Sequence, residues 1–120
     1  MAARFFTKSP SALLKAFDEK ISQTEREGSI TTWIKTRKGN YTHVSPQWGR
    51  KAFFKANSDF TDRLVFNVIP PEGEIVENEV YAFYHGHLIA TFISHFADKF
   101  TVGAAGAKPT AQDRLISKSV

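Results

Sequence analysis

The sequence predicts an α+β protein with an N-terminal helix, an antiparallel sheet of about four to five strands, a C-terminal helix packed on the same face, and a flexible C-terminal tail. Apolar residues recur at helical spacing between residues 9 and 28, and again over residues 87–96. Strand-forming segments separated by turn residues lie between these two stretches. This order indicates that both helices cover one face of the sheet and leave the other face partly open.

The composition is that of a small soluble domain. The chain has 120 residues, of which 42% are hydrophobic and 13% aromatic, so we expect a substantial core. It contains no cysteine, which excludes disulfides, thiolate metal sites and a cysteine nucleophile. The apolar runs are too short to span a bilayer and the N-terminus does not resemble a secretory signal, so we expect a cytoplasmic protein that binds no membrane. The net charge of +4 permits an anionic partner without requiring one.

The first helix is predicted between residues 9 and 28. Ser9 is a typical N-cap residue, and Pro10 suits the first helical position because its missing N–H has no partner there. Gly28 is typical of the position just beyond a helix end. Residues 1–8 are predicted to form a loose arm or a short edge strand. The apolar stripe of this helix consists of Leu13, Leu14, Phe17 and Ile21.

Four strands are predicted after this helix. Their β-branched and aromatic residues place them at residues 29–36, 41–45, 51–55 and 63–69. A further short strand is predicted at residues 100–102. Small and polar residues dominate after Gly106, so we expect a single domain over residues 1–106 and a flexible tail over residues 107–120.

Residues 79–100 hold the densest run of apolar side chains, and their period changes along the stretch. Residues 79–84 are strand formers, whereas residues 87–96 follow a helical period. We therefore predict a strand-to-helix break at His85-Gly86, where glycine permits a turn. Two alternatives remain open: a hairpin that turns at the same residues, and one continuous helix from Glu77.

Basic and aromatic residues near the predicted strands are the candidates for a binding surface. Exposed aromatic rings mark interaction surfaces, and cations between such rings suit the phosphates and bases of single-stranded nucleic acid. The residues with these properties are Trp33, Arg37, Lys38, Tyr41, Trp48, Arg50, Lys51 and Lys55.

A pocket around Tyr84, His85 and His87 is a further candidate site, because histidine can act as an acid or a base near neutral pH. The sequence contains no histidine pair at helical metal-ligand spacing and no HExxH motif, so neither a metal nor another cofactor is expected. It also lacks a G-x-S-x-G elbow, and no catalytic residue is assigned.

These observations favour a non-catalytic protein that binds another macromolecule through the open sheet face and the basic loops. The partner is expected to be a protein, for which this chain acts as an accessory subunit, inhibitor or regulator, and the sequence leaves room for a homodimer. The second hypothesis is nucleic-acid binding, with Trp48 stacking on bases and phosphates bound by Arg37, Lys38, Arg50, Lys51 and Lys55. The third is a small-ligand binder or enzyme around His85 and His87.

Overall fold

A computed structural model describes residues 3–109 and 113–115 of the chain. Within these residues, six strands and two helices follow one another in the order β1-α1-β2-β3-β4-β5-α2-β6. Their bounds are β1 (Ala3–Phe6), α1 (Pro10–Ser22), β2 (Trp33–Lys35), β3 (Tyr41–His43), β4 (Phe53–Asn57), β5 (Arg63–Ile69), α2 (Asn78–Phe96) and β6 (Gly103–Ala105).

The strands form one antiparallel sheet in the spatial order β2-β3-β4-β5-β1-β6. Strand β5 pairs with β4 on one side and with β1 on the other, so that Phe66 lies opposite Ala56 and Ala3. The predicted α+β class and antiparallel sheet are confirmed. The sheet has six strands rather than four to five, because the segments at the two ends of the fold, β1 and β6, pair with each other.

Both helices cover the same face of the sheet, as predicted. The ring of Phe66 lies 5.9 Å from that of Phe17 in α1 and 5.7 Å from that of Phe92 in α2, measured between centroids. The hydrophobic core therefore lies between this face and the two helices. We call the opposite face, which carries no helix of the described residues, the open face. The other rings in contact with Phe66 are Phe5, Tyr41 and Phe54.

Helix α1 begins as predicted but ends earlier. Pro10 occupies its first turn after Ser9, although the Ser9 hydroxyl makes no cap hydrogen bond. The helix stops at Ser22, because residues 23–27 are all polar and supply no apolar contact that would hold another turn against the sheet. Gly28 instead takes a left-handed conformation, with φ of 75°, inside the connection to β2.

Helix α2 is continuous from Asn78 to Phe96, so the predicted break at His85-Gly86 is wrong. The structure matches the alternative of one helix, with Glu77 at its N-cap. Gly86 is exposed, and a Cβ at this position would meet open space. The glycine therefore lies within the helix without a packing role.

The apolar residues of α2 contact more than one part of the protein. Val80 and Tyr84 are buried in the core, whereas Phe83 stacks on Trp48 in the β3–β4 connection, with 4.3 Å between ring centroids. A helix with apolar contacts on two sides lacks the single stripe that identifies a surface helix in sequence.

The two ends of the chain also differ from expectation. A short strand forms within residues 1–8, as one of the two predicted alternatives, but β1 lies between β5 and β6 and not at the edge of the sheet. Residues 1 and 2 lie outside the described residues. The last strand begins at Gly103, just beyond the predicted residues 100–102. A Cβ at Gly103 would lie 3.0 Å from the ring of Phe5, so glycine allows β6 to approach β1 closely.

Part of the predicted tail, residues 113–115, contacts β5. The backbone N–H of Val68 donates to a carboxylate oxygen of Asp113 at 3.1 Å, and the backbone N–H of Arg114 donates to the Val68 carbonyl at 2.8 Å. The predicted tail residues 110–112 and 116–120 lie outside the described residues.

Replacing Phe66 by alanine should lower the free energy of unfolding by about 3–5 kcal/mol, because the substitution leaves a cavity among the five rings that contact Phe66. Urea denaturation followed by tryptophan fluorescence measures the change. Phe66→Leu fills more of the space, so its loss of unfolding free energy should be smaller than that of Phe66→Ala. This variant can therefore be measured even if Phe66→Ala does not fold. Ile93→Ala, at a side chain that is 56% exposed, is the control. A loss below about 1 kcal/mol for Phe66→Ala would contradict the central packing role of this ring.

Candidate functional site

A cleft of about 800 Å³ lies on the open face, between the β2–β3 turn and the loop that follows β5. We call it the open-face cleft. Its apolar floor contains Ile34, Phe53 and Ile69, which are half-buried, together with Pro70 and Pro71. Phe53 lies directly opposite Ile69 in the β4–β5 pairing. These side chains point away from the helices because successive residues of a strand face opposite sides of the sheet.

Charged side chains surround this floor. Two acidic residues, Glu72 and Glu74, line the side formed by the loop after β5. Of the basic residues, Lys35 is paired with Asp18 at 3.1 Å. The other three are exposed and form no ion pair with another residue in the described part of the chain. They are Arg37, Lys38 and Arg50.

Arg50 has an unusual backbone conformation. Its φ is 59°, and it is the one non-glycine residue with positive φ among the described residues. This left-handed conformation costs a residue with a Cβ about 1–2 kcal/mol. The Arg50 N–H donates to the Thr42 hydroxyl oxygen at 3.1 Å, which holds the backbone in place. Arg50 also lines an adjoining cleft of about 660 Å³, which shares Glu74 with the first.

Two predicted surface aromatics, Trp33 and Tyr41, are buried with 1% of each residue exposed, so their expected position on an open face is wrong. Both rings point towards the helices. The Trp33 indole N–H donates to the Thr91 hydroxyl at 3.0 Å, and the Tyr41 hydroxyl donates to the Asp18 carboxylate. Burial, followed by the hydrogen bond and charge of Asp18, raises the pKa of Tyr41, so its hydroxyl stays protonated. Neither ring is accessible for stacking on a base.

The remaining predicted residues are dispersed. Trp48 is half-buried, and its ring lies almost parallel to that of Phe83, with 8° between the planes. Lys51 lines the adjoining cleft together with Trp48. Lys55 is exposed on β4 and lines neither cleft. The structure therefore places Arg37, Lys38 and Arg50 around the open-face cleft, and Arg50 with Trp48 and Lys51 around the adjoining one.

Tyr84, His85 and His87 do not form a common pocket. On a continuous helix, His85 and His87 point to different sides, because residues two apart are about 200° apart around the axis. Tyr84 and His85 are buried, and the Tyr84 hydroxyl donates to the Trp48 carbonyl. His85 Nδ1–H donates to the Tyr81 carbonyl at 2.6 Å, and its buried Nε2 has no hydrogen-bond partner among the residues that the structure describes.

The sequence prediction missed His43, which lies on β3 next to His87. His43 Nε2 and His87 Nδ1 are 2.7 Å apart. The backbone N–H of Ser45 donates to His43 Nδ1 at 3.1 Å, so neutral His43 carries its proton on Nε2. This Nε2–H donates the hydrogen bond to His87 Nδ1. This bond ties β3 to α2. His43 and His87 are 44 positions apart in the chain, so no local sequence signal indicates this bond.

Burial lowers the pKa of His43, and the neighbouring His87 lowers it further. Burial also lowers the pKa of His87 and that of His85. All three side chains therefore favour the neutral form. The described residues contain no group of three or more histidine or acidic side chains arranged to hold a metal ion.

Comparisons with protein-family models, curated proteins and solved structures find no match for this chain. None of the helices in the described residues is long and apolar enough to cross a membrane.

We expect the free energy of unfolding to decrease as the pH falls below about 6.5, the ordinary histidine pKa. The unfolded chain takes up protons there, whereas the buried histidines of the native state resist protonation because their pKa values are lowered. The contribution of these histidines to the free energy of unfolding is therefore fully present above their unfolded-state pKa. It is lost as the pH falls towards their lower native-state pKa values. Urea denaturation at about pH 7.5 and about pH 5.5 measures this difference.

The contribution of the His43–His87 pair to this pH dependence is obtained from the double variant His43→Gln/His87→Gln. Its stability should depend less on pH between the same two values, because carboxylates contribute equally to both proteins and cancel in the comparison. Wild-type and variant proteins with the same pH dependence would show that the pair does not contribute.

Proposed function

We propose that this protein binds a protein partner through the open face of its sheet and the adjoining basic loops, without catalysing a reaction. The observation that supports this proposal is the open-face cleft, where half-exposed apolar side chains lie beside three cations that form no ion pair with a described residue. An apolar centre within a polar rim is typical of protein interfaces. Phe53 and Ile69 supply the centre, and Arg37, Lys38 and Arg50 supply the basic part of the rim.

The cleft suits a protein better than a nucleic acid. Binding of single-stranded nucleic acid depends on aromatic rings that stack on successive bases. Trp33 and Tyr41 are buried and Trp48 is stacked on Phe83, which leaves Phe53 as the aromatic ring in the open-face cleft. Carboxylates on the same rim would also repel phosphates.

A non-catalytic role agrees with the positions of the histidines. A general acid or base must reach the proton that it transfers in a bound substrate. The two nitrogens of His43 are engaged by Ser45 and His87, and His85 is enclosed in the core with 3% of the residue exposed. Their lowered pKa values follow from burial in the fold and do not require a substrate site.

Phe53→Glu should abolish partner binding, because it places a carboxylate at the centre of the apolar floor. The substitution leaves the core side of β4 unchanged, and circular dichroism checks the fold. The measurement is quantitative capture of partners from an extract of the source cells by immobilised wild-type and variant proteins. Photocrosslinking from a benzoylphenylalanine placed at position 53 then identifies the protein in direct contact.

Ile93→Glu is the matched control, since Ile93 is exposed on the outer side of α2, away from the cleft. It should retain the wild-type set of captured proteins. If Phe53→Glu captures the same proteins as the wild type in the same amounts, the open face is not the binding surface.

A further inference from the structure

We infer that the partner presents a short segment with apolar and acidic side chains to the open-face cleft, and that Arg50 binds its carboxylates. This inference rests on the proposed function, since it requires the open face to be the binding surface. It specifies the chemistry of the ligand and the residue that recognises it.

The unpaired cations around the cleft indicate an acidic ligand. A partner that covers Arg37, Lys38 and Arg50 removes water from three charges that form no ion pair with the described residues. Desolvation of a charge is costly unless the partner supplies an opposite charge. Carboxylates in the ligand therefore account for a binding surface in which these cations border apolar side chains.

The size and composition of the cleft indicate a short peptide segment. A volume of about 800 Å³ accommodates several side chains and not a folded domain. The floor of Ile34, Phe53 and Ile69 binds apolar side chains, which the backbone of a nucleic acid does not supply. Glu72 and Glu74, on the loop after β5, disfavour a uniformly anionic polymer, whereas a peptide can direct its carboxylates towards the basic residues and its other side chains towards the floor.

The backbone of Arg50 provides an independent observation. Glycine would take its φ of 59° without strain, yet this position carries a long charged side chain that is exposed between the two clefts. Strained residues are concentrated at functional sites, so the positive φ of Arg50 supports a role for its side chain. The planar guanidinium binds a carboxylate through two parallel hydrogen bonds, which gives Arg50 a specific role beyond that of a point charge.

The first experiment compares three fluorescein-labelled probes by fluorescence anisotropy at low salt. The probes are a twelve-residue peptide of Glu and Leu, the same peptide with Gln for Glu, and a single-stranded DNA dodecamer. We expect the acidic peptide to bind at least about tenfold more tightly than either of the others, because charged hydrogen bonds contribute this much or more. Equal affinity for the Gln peptide would overturn the acidic-ligand inference, and tighter binding of the DNA would replace it with nucleic-acid recognition.

The second experiment tests Arg50 itself. Arg50→Gly should raise the denaturation midpoint, because glycine relieves the left-handed strain, and should weaken binding of the acidic peptide about tenfold or more. Arg50→Lys retains the charge and loses the planar fork, so its affinity should be intermediate. Lys55→Gln, which removes an exposed cation outside both clefts, should bind as the wild type does.

The outcomes separate this inference from the proposed function. Unchanged affinity of Arg50→Gly for the acidic peptide would overturn the role of Arg50, and a lower denaturation midpoint would overturn the strain argument. If Phe53→Glu abolishes capture of the cellular partner while the acidic and Gln peptides bind alike, the open face remains the binding surface and the ligand chemistry inferred here is wrong. If Phe53→Glu has no effect on capture, the proposed function itself fails.

Discussion

The contact of Phe66 with the rings around it joins the two layers of this protein. Phe66 lies in the middle of β5, and Phe17 of α1 and Phe92 of α2 meet it on one face of the sheet. These two rings also contact each other, with 4.9 Å between their centroids, so the helices are attached to the sheet and to one another through the same cluster. Because both helices are held on this face, Ile34, Phe53 and Ile69 on the opposite face stay partly exposed to solvent. The open-face cleft is thus a consequence of how the core is assembled.

Helix α2 also determines the shape of the cleft rim. Its Tyr84 hydroxyl donates to the carbonyl of Trp48, and Phe83 stacks on the Trp48 ring, so the β3–β4 connection is attached to the core at two points. The hydroxyl of Thr42, in β3, donates to the Ala52 carbonyl of that connection at 2.8 Å and accepts from the Arg50 N–H. Buried hydrogen bonds of this kind restrict a loop more strongly than exposed ones, because breaking them leaves polar groups without water. The same helix therefore completes the core and holds Arg50 at the cleft.

Local sequence patterns predicted the elements whose burial follows a simple periodic pattern along the chain. Strand β5 has the predicted bounds because Leu64, Phe66 and Val68 face the core at alternate positions. The residues between them are half-exposed on the opposite face, except Val65, which is buried there. Helix α2 was missed in its first half because residues 79–84 favour strands locally, whereas the native helix gains contacts from the core and from Trp48 at once. Likewise, residue type did not reveal that Trp33 points inwards, since a strand places its side chains alternately on both faces and only the fold decides which face is covered.

The candidate site likewise combines features that the local sequence indicates with features that only the fold creates. A basic turn after β2 was predicted from Arg37 and Lys38, yet nothing in their neighbourhood indicates that Phe53 and Ile69 complete an apolar floor beside them. The positive φ of Arg50 is also invisible in sequence, because it arises where the connection must return to β4 while its N–H reaches Thr42. The positive φ at position 50 favours glycine, whereas the proposed binding of a carboxylate favours a guanidinium. Arginine at this position carries a conformational cost that glycine would avoid, which agrees with the role in ligand binding proposed for its side chain.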